Sequence, residues 1–138
     1  MNEVVRARAE AMWAEDRASV GLGMRLDEVA PGRARVSMPI GEAMANGHGI
    51  CHGGFIFALA DSAMAFAANP RGEAAVAQHA AITFVRPAQV REVLVAEAAE
   101  RMHAGRSGMY DVRVCTAHGE LVAEFRGHTR TIRRSGDR

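Results

Sequence analysis

The sequence predicts an α+β fold in which one antiparallel β-sheet wraps around a long central α-helix. Three observations lead to this prediction. A nearly uninterrupted apolar run lies near the middle of the chain, two short alternating segments precede it, and four segments with alternating or β-branched residues follow it. Strands that follow one another without intervening helices favour antiparallel pairing. A curved sheet around the apolar helix is then the economical way to bury that helix.

The first predicted elements are a surface helix and a hairpin. Apolar residues such as Val5 and Ala9 recur at helical spacing among charged ones, which predicts an amphipathic helix over about residues 4–16. Residues 23–29 and 33–40 alternate partially and are joined by a Pro-Gly turn. We therefore expect an antiparallel hairpin directly after the first helix.

The central helix is predicted over about residues 53–68. A glycine-rich loop leads into it, and helix-forming alanine, leucine, methionine and phenylalanine then continue until Asn69-Pro70 ends the pattern. Four strands are predicted beyond it, and consecutive strands suggest an antiparallel meander. They cover residues 74–86, 92–101, 108–116 and 121–132. This order of elements is that of the hot-dog fold.

The size and charge of the chain limit the classes of protein it can belong to. It has 138 residues, 49% of them hydrophobic, so it can bury a core, and we expect a single domain over residues 1–138. The formal net charge is +1, from 17 basic and 16 acidic residues. This balance gives no general electrostatic reason to expect a nucleic-acid partner.

The sequence also bears on cellular location. The N-terminal segment contains acidic residues and lacks the apolar core of a signal peptide, and the only cysteines are Cys51 and Cys115. The most apolar stretch, residues 55–68, is shorter than the roughly 20 residues needed to cross a bilayer, and Asp61 interrupts it. We therefore expect a cytoplasmic protein that has no membrane partner.

The pair Gly53-Gly54 at the start of the central helix is the first candidate for function. Glycine costs about 1 kcal/mol relative to alanine in a helix interior, so two in succession suggest that something approaches the backbone closely there. The N–H groups of a first helical turn suit an anion or a carbonyl oxygen that gains negative charge. The alternative is that the glycines only allow a tight turn into the helix.

Asp61 is the second candidate, because aspartate is rarely buried unless it is paired or functional. A salt bridge or an exposed helix face is the alternative explanation. Asp61 follows Gly53 by eight residues, which is about 12 Å along a helix, so one helix cannot bring both groups to the same carbonyl. Two antiparallel helices about a twofold axis can, because Asp61 of one then meets Gly53 of the other. We therefore expect a dimer with shared active sites.

The segment from Asn46 to Asp61, Asn-Gly-His-Gly-Ile-Cys-His-Gly-Gly-Phe-Ile-Phe-Ala-Leu-Ala-Asp, resembles the signature of the phenylacetic acid degradation thioesterases, a hot-dog family. The resemblance continues in four later segments. These are Ala74-Ala-Val-Ala, Ile82-Thr-Phe-Val-Arg-Pro87, Gly108-Met-Tyr-Asp111 and Phe125-Arg-Gly127.

The resemblance implies an enzyme that hydrolyses phenylacetyl-CoA, its hydroxylated forms or related short acyl-CoA thioesters, working as a homo-oligomer and, by family, a tetramer built from dimers. It also implies site roles. Asp61 would be the catalytic carboxylate, the Gly53 N–H would polarise the thioester carbonyl, Asn46 would help to hold the attacking water, and His52 would support the loop or the carbonyl. Asp61 could act as a general base or attack directly to give an anhydride, and the sequence leaves both routes open.

Four further residues are candidates for substrate binding: Gly54, Ser62, Arg86 and Arg106. Gly54 belongs to the same helix start, and Ser62 either bonds within the site or packs on the helix. Coenzyme A carries a 3′-phosphate and a pyrophosphate, so arginines on the later strands could contact it, although most strand arginines are simply solvated. Arg101 and Arg130 are weaker candidates by the same argument.

Other chemistries fit the sequence less well. The six histidines show no metal-binding spacing on a predicted helix, so we expect no metal and no cofactor. Cys51 beside His52 is better explained as a small buried thiol than as a nucleophile. Apolar residues near the central helix could line an acyl pocket but are more often core. They are Met38, Met44, Phe57, Met64 and Phe66.

Two other functions remain open on the sequence alone. A hot-dog dehydratase or hydratase would use the same helix start but normally needs a catalytic histidine with an acid partner, which the Ala-Asp-Ser context of Asp61 does not suggest. A non-catalytic acyl-CoA-binding module is the other alternative, because the fold can bind a ligand without reacting with it.

Overall fold

A computed structural model describes residues 3–69 and 73–132 of the chain. Within these residues, six strands form one antiparallel sheet in the order β1-β2-β4-β5-β6-β3. The strands are β1 (Arg25–Ala30), β2 (Arg33–Pro39), β3 (Ala75–Phe84), β4 (Val93–Ala104), β5 (Ser107–Thr116) and β6 (Leu121–Thr131). All six coincide with predicted strand segments, to within a few residues at their ends.

Three α-helices accompany the sheet within the described residues. They are α1 (Glu3–Glu15), α2 (Arg17–Gly21) and α3 (Gly53–Ala68), and a short 3₁₀ turn (Glu42–Met44) lies before α3. The predictions of the first and central helices are therefore confirmed, the latter with the same bounds. Helix α2 was not predicted, since five residues are too few to show a hydrophobic period.

The predicted meander is correct for only three of the four later strands. Strands β4, β5 and β6 do follow one another across the sheet, but β3 pairs with β6 instead of β4. The reason lies in α3, which crosses the sheet between β2 and β3 and delivers the chain to the far edge. Strand β4 then returns to pair with β2. Strand β3 is left as an edge strand with exposed residues on both faces.

Helix α3 packs against the inner face of the sheet because its sequence is apolar on nearly every side. Its residues Leu59, Ala60, Ala63, Phe66 and Ala67 are fully buried. The helix also lies close to β6, where a Cβ on Gly127 would stand 2.2 Å from Met64 Sδ. Glycine at this position therefore leaves room for the end of the Met64 side chain between helix and sheet.

The ends of α3 are fixed by neighbouring elements. Trp13 of α1 packs edge-on against Phe66, with ring centroids 5.3 Å apart. At the C-terminal end, the Asn69 side chain donates to the carbonyl of Ala65 at 2.9 Å and accepts from the N–H of Ala75 at 2.8 Å. Asn69 therefore joins the helix end to the start of β3. The predicted stop signal also included Pro70, which lies outside the described residues.

The candidate pocket residues are mostly core. Met38, Met44, Met64 and Phe66 are buried in the hydrophobic cluster between α3 and the sheet. Phe57 is half-buried and packs edge-on against Phe125 at 5.4 Å. None of the helices within residues 3–69 and 73–132 is long and apolar enough to cross a membrane.

Candidate active site

The start of α3 leaves one backbone donor free. His52 caps the helix in an extended conformation, and its Nδ1 accepts from the N–H of Gly54 at 3.2 Å. The N–H of Phe55 donates to the His52 carbonyl at 3.0 Å. Across the described chain, the N–H of Gly53 has no hydrogen-bond partner. Of the two glycines, Gly53 alone therefore offers a donor to a ligand, reinforced by the positive end of the helix dipole.

Gly53 is also the point of a close approach, as the double glycine predicts, but the approaching group belongs to the same chain. A Cβ at Gly53 would stand 2.9 Å from Cζ of Phe84, at the end of β3. The Phe84 side chain is 49% exposed, so its ring forms an apolar surface beside the free N–H. At Gly54 the nearest contact of a Cβ would be an ordinary 3.5 Å to His52 Nδ1.

The loop before α3 is ordered by Asn46. Its Oδ1 accepts from the N–H of His48 at 2.9 Å and from that of Ile50 at 3.4 Å. Its backbone N–H also donates to the Ile50 carbonyl at 2.8 Å. The side-chain oxygen is thus engaged in the loop, whereas the side-chain amide donors have no partner among the described residues and are available to a water molecule.

A second loop, residues 85–92, supports the first. The N–H of Cys51 donates to the carbonyl of Ala88 at 2.8 Å, and Ile50 and Gln89 form an isolated β-bridge. These contacts lie immediately before the helix cap, so the 85–92 loop supports the segment that leads into α3.

Arg86 and Glu92 hold this second loop together. Arg86 donates from both terminal nitrogens to the Glu92 carboxylate, at 2.9 and 3.3 Å, and also to the Pro87 carbonyl. Glu92 accepts in addition from the Gln89 N–H at 2.7 Å. The hydrogen bond from Arg86 lowers the pKa of Glu92. The guanidinium predicted to bind CoA phosphate is therefore already engaged within the loop.

Asp61 lies two turns beyond Gly53 on α3 and is half-buried. Its carboxylate makes no hydrogen bond and no ion pair with any residue of the described chain. Burial raises the pKa of Asp61 above its ordinary value. The alternative explanation, that Asp61 forms a structural salt bridge, is thus not supported by the described residues. An unpaired, partly desolvated carboxylate is suited to act as a base or a nucleophile.

Ser62 and Arg106 have contacts away from the start of α3. The Ser62 hydroxyl is 2.9 Å from that of Ser19, which in turn donates to Asp16, the N-cap of α2, at 2.7 Å. Arg106 is exposed and donates to the Thr131 carbonyl at 2.9 and 3.1 Å. Ser62 thus joins α2 to α3, and Arg106 joins the turn between β4 and β5 to the end of β6. Their roles in substrate binding stay predictions.

Cys51 has the properties of a structural thiol. It is buried, its Sγ donates to the His52 carbonyl at 3.4 Å, and burial raises its pKa, which disfavours the reactive thiolate. Within the described residues, no three or more histidine, cysteine, aspartate and glutamate side chains are grouped so that they could hold a metal ion.

A groove of about 560 Å³ lies elsewhere, on the outer face of β1, β2, β4 and β5. Its lining mixes arginines with carboxylates over a floor of small apolar residues, and it includes none of the predicted catalytic residues. Arg101, one of the weaker CoA candidates, lines this groove and pairs with Asp111 at 3.4 Å. The chemistry suggested by Gly53 and Asp61 belongs to the opposite face of the sheet.

Comparisons with known proteins identify the family and the fold. The thioesterase superfamily profile matches residues 48–123. The acyl-coenzyme A thioesterase PaaI of Escherichia coli strain K12 is 39% identical over 124 residues, 90% of this chain and 89% of the relative. The solved structure of the E. coli PaaI protein from the phenylacetic acid degradation operon superposes with a TM-score of 0.92 at 37% identity, covering 94% of each chain.

A second solved structure gives the same result. It is a mutant of the phenylacetic acid degradation protein PaaI from Thermus thermophilus, which superposes with a TM-score of 0.81 at 37% identity over 85% of this chain and 100% of that one. The hot-dog fold and the resemblance based on residues 46–61 are thereby confirmed. The chain belongs to the thioesterase superfamily, within its PaaI group, and is a thioester hydrolase.

Proposed function

We propose that this enzyme hydrolyses phenylacetyl-CoA, its hydroxylated derivatives and related short acyl-CoA thioesters to the free acid and coenzyme A. The observation that carries the proposal is a free N–H at the start of α3 together with an unpaired, half-buried carboxylate on the same helix. The substrate class follows from the PaaI relative, an acyl-coenzyme A thioesterase. Phe84 supplies an apolar ring beside the free N–H, which suits an aryl group.

The Gly53 N–H would polarise the thioester carbonyl. As the carbonyl carbon becomes tetrahedral, negative charge develops on its oxygen, and a fixed donor at a helix N-terminus stabilises that charge without reorganisation. The caps on Gly54 and Phe55 serve this purpose by holding the first turn rigid. His52 is therefore proposed as a positioning residue that keeps the helix start in place.

Asp61 would activate the attacking water. Because burial raises its pKa, the carboxylate is a better base than a free aspartate, and the side-chain amide of Asn46 can donate to the same water. Direct attack by Asp61 would instead give an anhydride that water then hydrolyses. Single-turnover hydrolysis in heavy-oxygen water separates the two routes, because only a nucleophilic Asp61 acquires label in its side chain.

The site would be completed by a second subunit. Gly53 and Asp61 are about 12 Å apart along one helix, too far to serve a single carbonyl. A stripe of α3, Gly54, Ala58, Asp61 and Ala65, is not fully covered by the sheet of its own chain. Strand β3 is an edge with free hydrogen-bonding groups and exposed Val76 and Phe84.

Pairing of two such edges about a twofold axis would extend the sheet and bring the two α3 helices together in antiparallel orientation. Asp61 of each chain would then face Gly53 of the other. We propose this dimer, and a tetramer of two dimers, as the working form in the cytoplasm. Sedimentation of the protein at assay concentration tests the assembly, and a fully active monomer would exclude it.

The experiment that tests the function is thiol release from phenylacetyl-CoA, acetyl-CoA and a long-chain acyl-CoA by the parent protein and by Asp61→Asn. We expect phenylacetyl-CoA to be favoured and the substitution to reduce kcat by about 10²-fold or more. Asp27→Asn, an exposed aspartate on β1, is the matched control and should leave turnover unchanged. Cleavage of no thioester by the parent protein would contradict the proposal.

A further inference from the structure

The outer face of the sheet carries a row of metal-binding side chains that no sequence spacing reveals. His79 of β3 lies opposite His128 of β6, His128 lies opposite Met109 of β5, and Met109 lies opposite Met102 of β4. Directly opposed residues of antiparallel strands share one face, with Cβ atoms about 4.5–5.5 Å apart. The four side chains therefore form one continuous line across four strands, far from Gly53 and Asp61.

Burial shows which face this is. The neighbours of His128 along β6, Gly127 and Thr129, are buried, whereas His128 and His79 are exposed. On β5, Met109 is half-buried between the buried Gly108 and Tyr110. The row is thus turned away from α3, and its two histidines are open to solvent in the single chain.

The two histidine rings are close enough to share an ion. Their centroids are 5.4 Å apart and the ring planes meet at 66°. Two nitrogens at about 2.0–2.1 Å from one tetrahedral ion are about 3.3 Å apart. A shared ion requires one nitrogen of each ring to turn to that separation, and Met109, the register partner of His128 on β5, is placed to act as a third ligand.

The ligand set and its charge select the ion. Imidazole accepts several transition metals, whereas a thioether favours Cu(I). Arg126 and Arg130 flank His128 along β6, and Arg126 forms hydrogen bonds of 2.6 and 2.9 Å to Asp111, a carboxylate that it shares with Arg101. Arg130 is exposed beside the row. A neutral ligand set next to an arginine disfavours a divalent cation more than a monovalent one.

From this geometry we propose that His79, His128 and Met109 bind one Cu(I) ion per chain on the outer face of the sheet. The proposal is independent of thioester hydrolysis. The sequence predicts no metal, because the histidines lack metal-binding spacing along the chain. The three proposed ligands come from three different strands, so their proximity does not appear in that spacing.

The test is competition for Cu(I) between the intact oligomer and a chromophoric Cu(I) chelator, under reducing, oxygen-free conditions. All proteins carry Cys115→Ser, because Cys115 is a partly accessible thiol that would itself bind Cu(I). We expect one ion per chain in this parent. His79→Ala, His128→Ala and Met109→Leu should each weaken binding by at least about tenfold.

His103→Ala and His118→Ala, which alter exposed histidines outside the row, are matched controls and should bind as the parent does. Titration with Zn²⁺ isolates the contribution of sulfur, since Met109→Leu should leave Zn²⁺ affinity unchanged. Absence of Cu(I) uptake by the parent would overturn the proposal. Equal losses in the control variants, or Cu(I) affinity untouched by Met109→Leu, would overturn it as well.

Discussion

Asp61 places a charge where the local sequence otherwise builds an apolar surface. It has no compensating partner in the described chain, and burial raises its pKa. Such a group opposes folding in its charged form, and a residue of this kind persists where it serves the reaction. We therefore expect the Asp61 carboxylate to be needed for activity and to lower the stability of the folded chain.

Asp61→Asn should make the protein more stable at neutral pH while it removes activity. A carboxyl group whose pKa is raised by folding adds stability below its unfolded value, near 3.8, and that stability is lost as pH rises through the folded pKa. At pH 7 the parent therefore bears the full penalty of the carboxylate, which asparagine does not.

Thermal unfolding from pH 7 down to pH 4 measures this effect. The advantage of Asp61→Asn over the parent should shrink as pH falls, and kcat/KM of the parent should fall with an apparent pKa above 3.8. Asp27→Asn should show neither trend. A variant less stable than the parent at pH 7 would show that Asp61 has a favourable partner.

The donor at Gly53 can be removed with little change to the helix. Proline lacks the N–H and is favoured at the first helical position, and His52 already has the extended conformation, with φ −62° and ψ 132°, that a residue before proline adopts. Gly53→Pro should therefore reduce kcat by about 10²–10³-fold, the usual effect of losing one oxyanion donor.

Gly53→Ala is the control for this substitution. It adds the same Cβ against Phe84 but keeps the N–H, so it reports displacement of the ring alone. Circular dichroism would verify that both variants retain α3. Equal activity of the proline and alanine variants would show that the Gly53 N–H does not contact the carbonyl.

The sequence predicts these residues but not their surroundings. Asp61 and the glycine pair stand out because each contradicts the local preference of a long apolar helix. Phe84 contacts Gly53 because the end of β3 lies beside the start of α3. No local sequence pattern predicts that arrangement. For the same reason Ser62 could not be assigned to Ser19, which is 43 positions away.

At the scale of elements, the start of α3 depends on two loops. One carries Asn46 and the helix cap, and the other is braced by Arg86 and Glu92. The bounds of α3 were predictable because its composition and its start and stop signals agree. The pairing of β3 with β6 was not predictable, because alternation identifies a strand but does not show which strand pairs with it.

The Arg86–Glu92 pair should affect turnover more than substrate affinity. Glu92→Gln removes the charge that holds Arg86 and loosens the loop to which Cys51 is hydrogen-bonded, so the helix start shifts. We expect Glu92→Gln and Arg86→Met each to lower kcat about tenfold with little change in KM, because a small misplacement of a catalytic group has a large effect on rate.

Steady-state kinetics with phenylacetyl-CoA at two salt concentrations provide the measurement. If Arg86 instead contacts a CoA phosphate, Arg86→Met raises KM in a salt-dependent way while Glu92→Gln does not. Arg113→Met is a suitable control, since Arg113 forms a similar pair with Glu124 at 3.0 Å but on the exposed surface of the sheet.

At the scale of the whole molecule, one chain carries both proposed catalytic groups but does not bring them together. The free N–H and the carboxylate lie two turns apart on one helix, and the edge strand β3 and the stripe of small residues on α3 offer a surface for a second copy. The spacing of Gly53 and Asp61 predicts sharing from the sequence. The exposed edge of β3, which would allow two chains to pair, is known only from the order of strands in the sheet.

Subunit mixing tests this claim most directly. Asp61→Asn and Gly53→Pro, each inactive alone, are coexpressed with different tags, assemblies that contain both chains are purified by both tags, and their content of mixed dimers is determined by cross-linking. If Asp61 of one chain acts with Gly53 of the other, each mixed dimer contains one intact site and one doubly altered site. We predict that its thiol release from phenylacetyl-CoA recovers to about half the parent rate per dimer. Mixed dimers as inactive as either variant alone would show that each chain completes its own site, and would contradict the account.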